Sequence, residues 1–159
     1  MSIFVRLANS DDVVAIAAIH RQAFTRQSDS EVWVRATMAA WPRMLVHLLI
    51  QADEVAGYIF WAQKSGIRPS AVVELDQVAV TAQLRGRGLG ELLIRESLAQ
   101  VRGVLECNGQ SLKSILVSIR ADNEAQRLYQ KSLGARVVAE IDDMYSSTEV
   151  LMLAEAVDG

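Results

Sequence analysis

Apolar and polar positions along the chain fall into alternating blocks with two different periods. Ile3–Leu7 alternates with period two and predicts an opening strand. Val13, Ile16, Ala17 and Ile19 then recur at helical spacing, predicting a helix over about residues 11–24. Asn9 and Ser10 are candidate N-caps, and Asp11 and Asp12 put negative charge in the first turn, where the helix dipole favours it. The polar stretch Thr25–Ser30 breaks the pattern. A second helix follows over about 30–40, stopped by Trp41-Pro42 because proline disfavours helical geometry in its predecessor.

Met44–Gln51 is apolar nearly throughout and predicts a strand buried on both faces. Val55–Gln63 predicts its antiparallel neighbour, since only Ala52-Asp53-Glu54 joins them. A loop over Ser65–Ser70, with Gly66 and Pro69, leads to a strand over Ala71–Val80. Leu92, Leu93, Leu98 and Val101 mark a third helix after Gly90, with Gly103 and Gly109 both acceptable as its stop. Lys113–Arg120 reads as a strand, Glu124–Leu133 as a helix ended by Gly134, and Arg136–Ile141 and Glu149–Leu153 as closing strands around Asp142–Thr148. The order βααβββαβαββ gives one mixed-sheet α/β domain over residues 1–159, without repeat, linker or low-complexity tract.

Composition narrows the class further. An apolar fraction of 51% against 22% charged residues is that of a globular chain with its own core. The net charge of −3 and the lack of a basic run argue against nucleic acid as a partner, while suiting a cationic substrate. Cys107 is the single cysteine, so neither an internal disulfide nor a cysteine metal cluster is expected, and no metal site is predicted. His20 and His47 stand isolated and read as structural or surface residues. The opening residues have no basic segment followed by an apolar run, and no apolar stretch is long enough for a bilayer, so a cytoplasmic, non-membrane protein is expected.

The segment richest in chemistry is Gln83-Leu84-Arg85-Gly86-Arg87-Gly88-Leu89-Gly90, set between a strand and a helix. The first amides of a helix have no internal acceptors and carry positive partial charge. Glycines ahead of them let an anion approach the backbone, and Arg85 and Arg87 add charged donors. A phosphate or diphosphate site follows. The dinucleotide fingerprint G-x-G-x-x-G fails, because its third glycine would fall on Glu91, and the P-loop fails for want of its lysine. No G-x-S-x-G elbow supports hydrolase chemistry.

Arg85-x-x-Gly88-x-Gly90 resembles the Q/R-x-x-G-x-G/A signature of the GNAT superfamily of N-acetyltransferases. The resemblance extends over almost the whole chain: Arg6-x-Ala8 with Asp11 or Asp12 and Ile16-x-x-Ile19 at the start, Asp76–Val80 and Leu92-Leu93 around the loop, and Asn123, Ala125, Leu128 and Tyr129 later. It implies the acyl-CoA N-acyltransferase fold and acetyl-CoA as co-substrate, with an amine-bearing small molecule, peptide or protein as acceptor. By the same resemblance Arg85, Gly86, Arg87, Gly88, Leu89 and Gly90 would hold the pyrophosphate, the strand Gln77–Val80 the pantetheine, and the backbone amides of Val78, Ala79 and Val80 the developing oxyanion. Dimers are frequent among similar proteins, so a homodimer is compatible.

Direct transfer to an amine needs a base for the amine proton and a proton for the departing thiolate. Glu74, six residues before Val80, is the base that the resemblance implies, and Asp76 shares its face in a regular strand and stays an alternative. Tyr129 is the implied acid, with Tyr145 in reserve. The family's N-x-x-A-x-x-x-Y motif is altered here: Asn123 precedes Ala125 by two residues, and Gly134 follows Tyr129 by five. Asp122 or Asn123 would take the asparagine's role beside the cofactor. Asp29, Glu31, Asp142 and Asp143 fall in segments that line the acceptor site of similar proteins, and Trp33, Trp41 and Trp61 read mainly as packing residues. The altered motif keeps a second reading open, a non-catalytic acyl-CoA-binding regulatory module of the same fold.

Overall fold

A computed structural model describes residues 2–156. The domain bounds read from the sequence include Met1 and residues 157–159, which lie outside the described residues. Seven strands form one mixed sheet: β1 (Ile3–Leu7), β2 (Met44–Gln51), β3 (Glu54–Gln63), β4 (Ser70–Val80), β5 (Ser111–Arg120), β6 (Arg136–Ile141) and β7 (Glu149–Glu155), in the spatial order β1-β2-β3-β4-β5-β7-β6. Four helices accompany them: α1 (Val13–Ala23), α2 (Ser30–Ala39), α3 (Leu89–Cys107) and α4 (Gln126–Leu133). The predicted order is the observed one.

The described chain divides into two compact units. The first takes residues up to Trp61 together with Gln77–Val101. Its core gathers Val13, Ile16, Ala17 and Ile19 of α1 and Val34 of α2 with Val46, Leu48, Ile50, Tyr58 and Phe60 of β2 and β3. β1 runs antiparallel to β2, Ile3 opposite Gln51 and Leu7 opposite His47. Ala52 and Asp53, both in the left-handed region, make the two-residue turn into β3 that returns the chain beside β2. Before α1 a 3-10 turn over Ser10–Asp12 is held by a capping box, in which Asn9 and Asp12 satisfy each other's backbone amides. Asp12 also takes both terminal nitrogens of Arg6 at 2.8 Å, and that bidentate bond, opposed by burial, holds its carboxyl below the usual range. The Trp61 indole donates to Ser97 on α3 at 2.9 Å, so both buried polar atoms are satisfied.

The second unit comprises Ala62–Asp76 and the chain from Arg102 onward. In it β4 runs parallel to β5 from Ser70, opposite Ser111, to Glu74, opposite Leu116. β7 runs antiparallel to β5 along its length, and β6 pairs outside β7. Leu112 is buried before the register shift of β5 against β4, and after it the alternate residues Ile115, Val117 and Ile119 are buried. Gly134 ends α4 in the left-handed conformation, as its position predicted.

The structure chooses between the two stops open for α3 and moves the start of α4. α3 runs through Gly103 to Cys107, and the stop is Gly109 at φ +73°. A Cβ at Gly103 would meet nothing within 4 Å, so this glycine is merely tolerated within the helix. α4 begins two residues later than predicted, because the Asn123 carboxamide accepts from the Ala125 amide at 2.8 Å and shapes a turn first.

Candidate active site

In the first unit the chain leaves β4 at Val80, makes a 3-10 turn over Ala82–Leu84, and reaches α3 through Arg85–Gly88. Gly86 and Gly88 both sit at φ +76°, and a Cβ at either would meet nothing within 4 Å. Backbone conformation, not crowding, therefore demands glycine, since the left-handed region costs other residues about 1–2 kcal/mol. The first helical bond at this end runs from the Leu92 amide to the Gly88 carbonyl at 3.1 Å. Among the described residues the amides of 86–90 have no backbone acceptor. These donors, at the positive end of a helix, form a cradle fitted to an anion such as a diphosphate.

Arg85 is partly committed elsewhere: its Nε donates to the Val80 carbonyl at 3.0 Å and staples the loop to the end of β4. Its terminal nitrogens remain for a ligand. Arg87 is exposed, and Leu89 is turned inward, so Leu89 offers the cradle its amide rather than its side chain. Ala79 and Val80 also bury their side chains, leaving backbone as their contribution. β3 approaches closely here. A Cβ at Gly57 would stand 2.7 Å from the Ala79 carbonyl oxygen, so this glycine is required by contact.

One residue past Asp76 the Gln77 side chain joins a buried-to-surface hydrogen-bond chain. Tyr58 donates to Gln77 Oε1 at 3.2 Å, and Gln77 Nε2 donates to Gln27 Oε1 at 3.3 Å. The same oxygen lies 2.8 Å from His20 Nε2, whose Nδ1 lies 2.8 Å from Ser30 Oγ. A carbonyl acceptor makes Nε2 the protonated nitrogen, with Ser30 donating to Nδ1. His20 is thus a fully buried tie between α1, the loop before α2, and β4. Gln27, Tyr58 and Gln77 carry no sequence signal for this, because each is an ordinary residue until the fold brings them together.

In the second unit Glu74 and Asp76 occupy one face of β4 by parity, beyond Val72. Lys64 Nζ lies 2.9 Å from Glu74 Oε2, an ion pair that the sequence did not disclose. The Lys64 amide is itself fixed by the Val72 carbonyl at 2.9 Å. Although Asp76 keeps an exposed face, burial raises its carboxyl above the usual range. Glu74 raises it further, and Lys64 acts in the opposite direction. The β4–β5 ladder ends at Glu74, so both carboxylates stand where the strand leaves its partner.

Tyr129 on α4 is 6% exposed, and burial pushes its phenol up to about 12. Asn123 spends its carboxamide oxygen on the Ala125 amide, leaving its NH₂ group for a ligand. Asp122 pairs with Arg120 at 2.9 Å. Tyr145, the reserve candidate, is 69% exposed. Among the described residues no three His, Cys, Asp or Glu side chains gather as a metal site would require. No helix among them is long and apolar enough to cross a membrane.

The family model described as acetyltransferase (GNAT) family matches residues 13–135. Among curated proteins none matches the sequence. Solved structures similar in fold include Ard1 from Thermoplasma volcanium, at 21% identity and TM-score 0.80, covering 99% of this chain and 100% of that one. NAA60 of Arabidopsis thaliana in complex with acetyl-CoA is similar at 18% identity and TM-score 0.77, covering 99% and 100%. The NatC complex bound to Gag peptide and CoA is similar at 14% identity and TM-score 0.78, again covering 99% and 100%.

Proposed function

Given that the chain belongs to the acetyltransferase (GNAT) family, we propose that residues 1–159 act as one catalytic domain that transfers an acetyl group from acetyl-CoA to a primary amine of a small molecule, peptide or protein. The observation that carries this is the row of amides over residues 86–90, without backbone acceptors and entered through two left-handed glycines. The diphosphate would lie on these amides with Arg85 and Arg87; by the family's motif, Asn123 would offer the cofactor its free NH₂ group. Bound acetyl-CoA supplies the activated acyl group, and the chain supplies orientation, donors and proton handling.

Val78–Val80 would present backbone to the pantetheine arm and an amide to the negative charge that grows on the acyl oxygen. Glu74 would take a proton from the acceptor's ammonium group, leaving the neutral amine to attack the thioester, with Asp76 as its neighbour on the same face. Lys64 keeps a cation beside this pair, and Asp76, raised above its own usual range by burial, gives it a second carboxylate. Tyr129 would hold its proton toward the departing sulfur. At about 12 it lies about 3.5 units above an ordinary thiol near 8.5, so complete transfer is uphill by ~5 kcal/mol. Its role is therefore that of a hydrogen-bond donor that steadies the thiolate.

One observation favours the other reading, a module that binds acyl-CoA without turnover: the Glu74 carboxylate already has Lys64 as a partner. Incubation with acetyl-CoA and a panel of amines, amino acids and peptides, followed through free thiol, decides between them. Thiol release that depends on an acceptor supports the transferase. Binding of acetyl-CoA without release across the panel supports the module.

A further inference from the structure

The face of β4 that carries Glu74 continues, toward the start of the strand, into a groove of about 680 Å³. Val72 and Leu116 form its apolar floor, and Lys64, Arg68 and Lys113 stand around it. The groove is continuous with the carboxylate pair by register: Val72 lies two residues before Glu74, and Leu116 is the residue opposite Glu74 on β5. Lys64 belongs to both, as lining residue and as the partner of Glu74.

The charge of the groove is opposite in sign to that of the chain. The protein carries a net −3, yet every charged residue lining this groove is a cation. Lys64 is neutralised by Glu74, whereas neither Arg68 nor Lys113 has a carboxylate partner among the described residues. Arg68 is also held ready. Its carbonyl accepts from Gln110 at 2.7 Å, and its Nε donates to the Ser65 carbonyl at 2.9 Å, which leaves the outer edge of the guanidinium free. A fixed fork of this kind suits a carboxylate.

We propose that the groove binds an acidic peptide segment, namely the residues that follow the amino terminus of a peptide acceptor. This rests on the acetyl-transfer reading above. With the terminal amine at Glu74 and Asp76, the distance back to Ser70 is about 13 Å at 3.3 Å per strand residue. An extended peptide covers that in about four residues. A side-chain carboxylate at the second to fourth position would then meet Arg68 and Lys113, while its aliphatic neighbours cover Val72 and Leu116. A free amino acid is too short to reach both ends.

The experiment separates this proposal from the reading on which it rests. Binding is measured by fluorescence anisotropy with N-terminally blocked hexapeptides, which cannot be acetylated, carrying Glu or Gln at positions two to four. The acidic peptide is expected to bind at least tenfold more tightly, and the preference should shrink as salt rises. In the R68E/K113E double variant that preference should vanish or invert, with acetyl-CoA affinity unchanged. With free-amine peptides the preference should appear in KM and leave kcat nearly constant. Equal binding of the Glu and Gln peptides overturns the groove proposal, as does an unaltered preference in the double variant or an oligonucleotide that binds as tightly. Acidic selectivity without thiol release from any free-amine peptide leaves the groove standing and removes the transferase reading instead.

Discussion

The Lys64 ammonium stands 2.9 Å from one carboxylate oxygen of Glu74, and the backbone amide of the same lysine is bonded to Val72 on the strand that carries that glutamate. Lys64 follows β3 and Glu74 belongs to β4, so the register of two strands decides this pair. Asp76 feels both charges. Glu74 pushes its carboxyl up and Lys64 pulls it down.

Replacement of Lys64 by Met should therefore raise Asp76 further and move the acidic limb of the kcat/KM profile to higher pH, because the base must lose its proton to act. Lys64→Arg should restore the limb. An unchanged profile in the Met variant would show that the pair plays no part in proton transfer.

Glu74→Gln and Asp76→Asn distinguish the two carboxylates. With Glu74 as base, the Gln variant should lose about a hundredfold or more in kcat and keep its acetyl-CoA affinity. With Asp76 as base, the Gln variant should stay active and its acidic limb should fall in pH, since a negative neighbour has gone. Steady-state rates from pH 5 to 9 read the difference.

Tyr129→Phe should lower kcat by about ten- to a hundredfold, the worth of one hydrogen bond to a charged group, and leave the alkaline limb in place below pH 10. The phenol, at about 12 in the folded chain, does not titrate in that range. A full rate in the Phe variant would shift the donor's role to water or to Tyr145.

In the cradle, Arg85→Ala should weaken acetyl-CoA binding by about 1.5–3 kcal/mol, read by calorimetry. Arg85→Lys should recover only part of this, since lysine has no Nε–H to aim at the Val80 carbonyl as the guanidinium does. Gly88→Ala should weaken binding without altering charge, because its φ of +76° strains any Cβ-bearing residue.

His47 gives a stability test apart from catalysis. Burial pushes it down to about 4, against about 6.5 in the unfolded chain, so the folded state resists its protonation. The sign follows from linkage: this contribution is fully present above pH 6.5 and is lost as pH falls toward 4, to about 3 kcal/mol. Urea midpoints should drop over that window, and the drop should be smaller in His47→Leu. Parallel curves for the two proteins would rule His47 out as the cause.

What the sequence determined by itself is what depends on neighbours along the chain. The periods of Ile3–Leu7 and of Val13 to Ile19 are local, and so is the glycine spacing at Gly86 and Gly88. Each therefore specified its strand, helix or anion-ready turn before any packing was known. The altered Asn123 motif was legible too, though its meaning was not: only the bond from the Ala125 amide showed how Asn123 is used. Tertiary structure decided the rest. Lys64 beside Glu74, Gln27 beside Gln77, Gly57 beneath the Ala79 carbonyl and the Arg68 groove all join residues from different elements. Their distances are set by strand register and loop geometry, which no local pattern encodes.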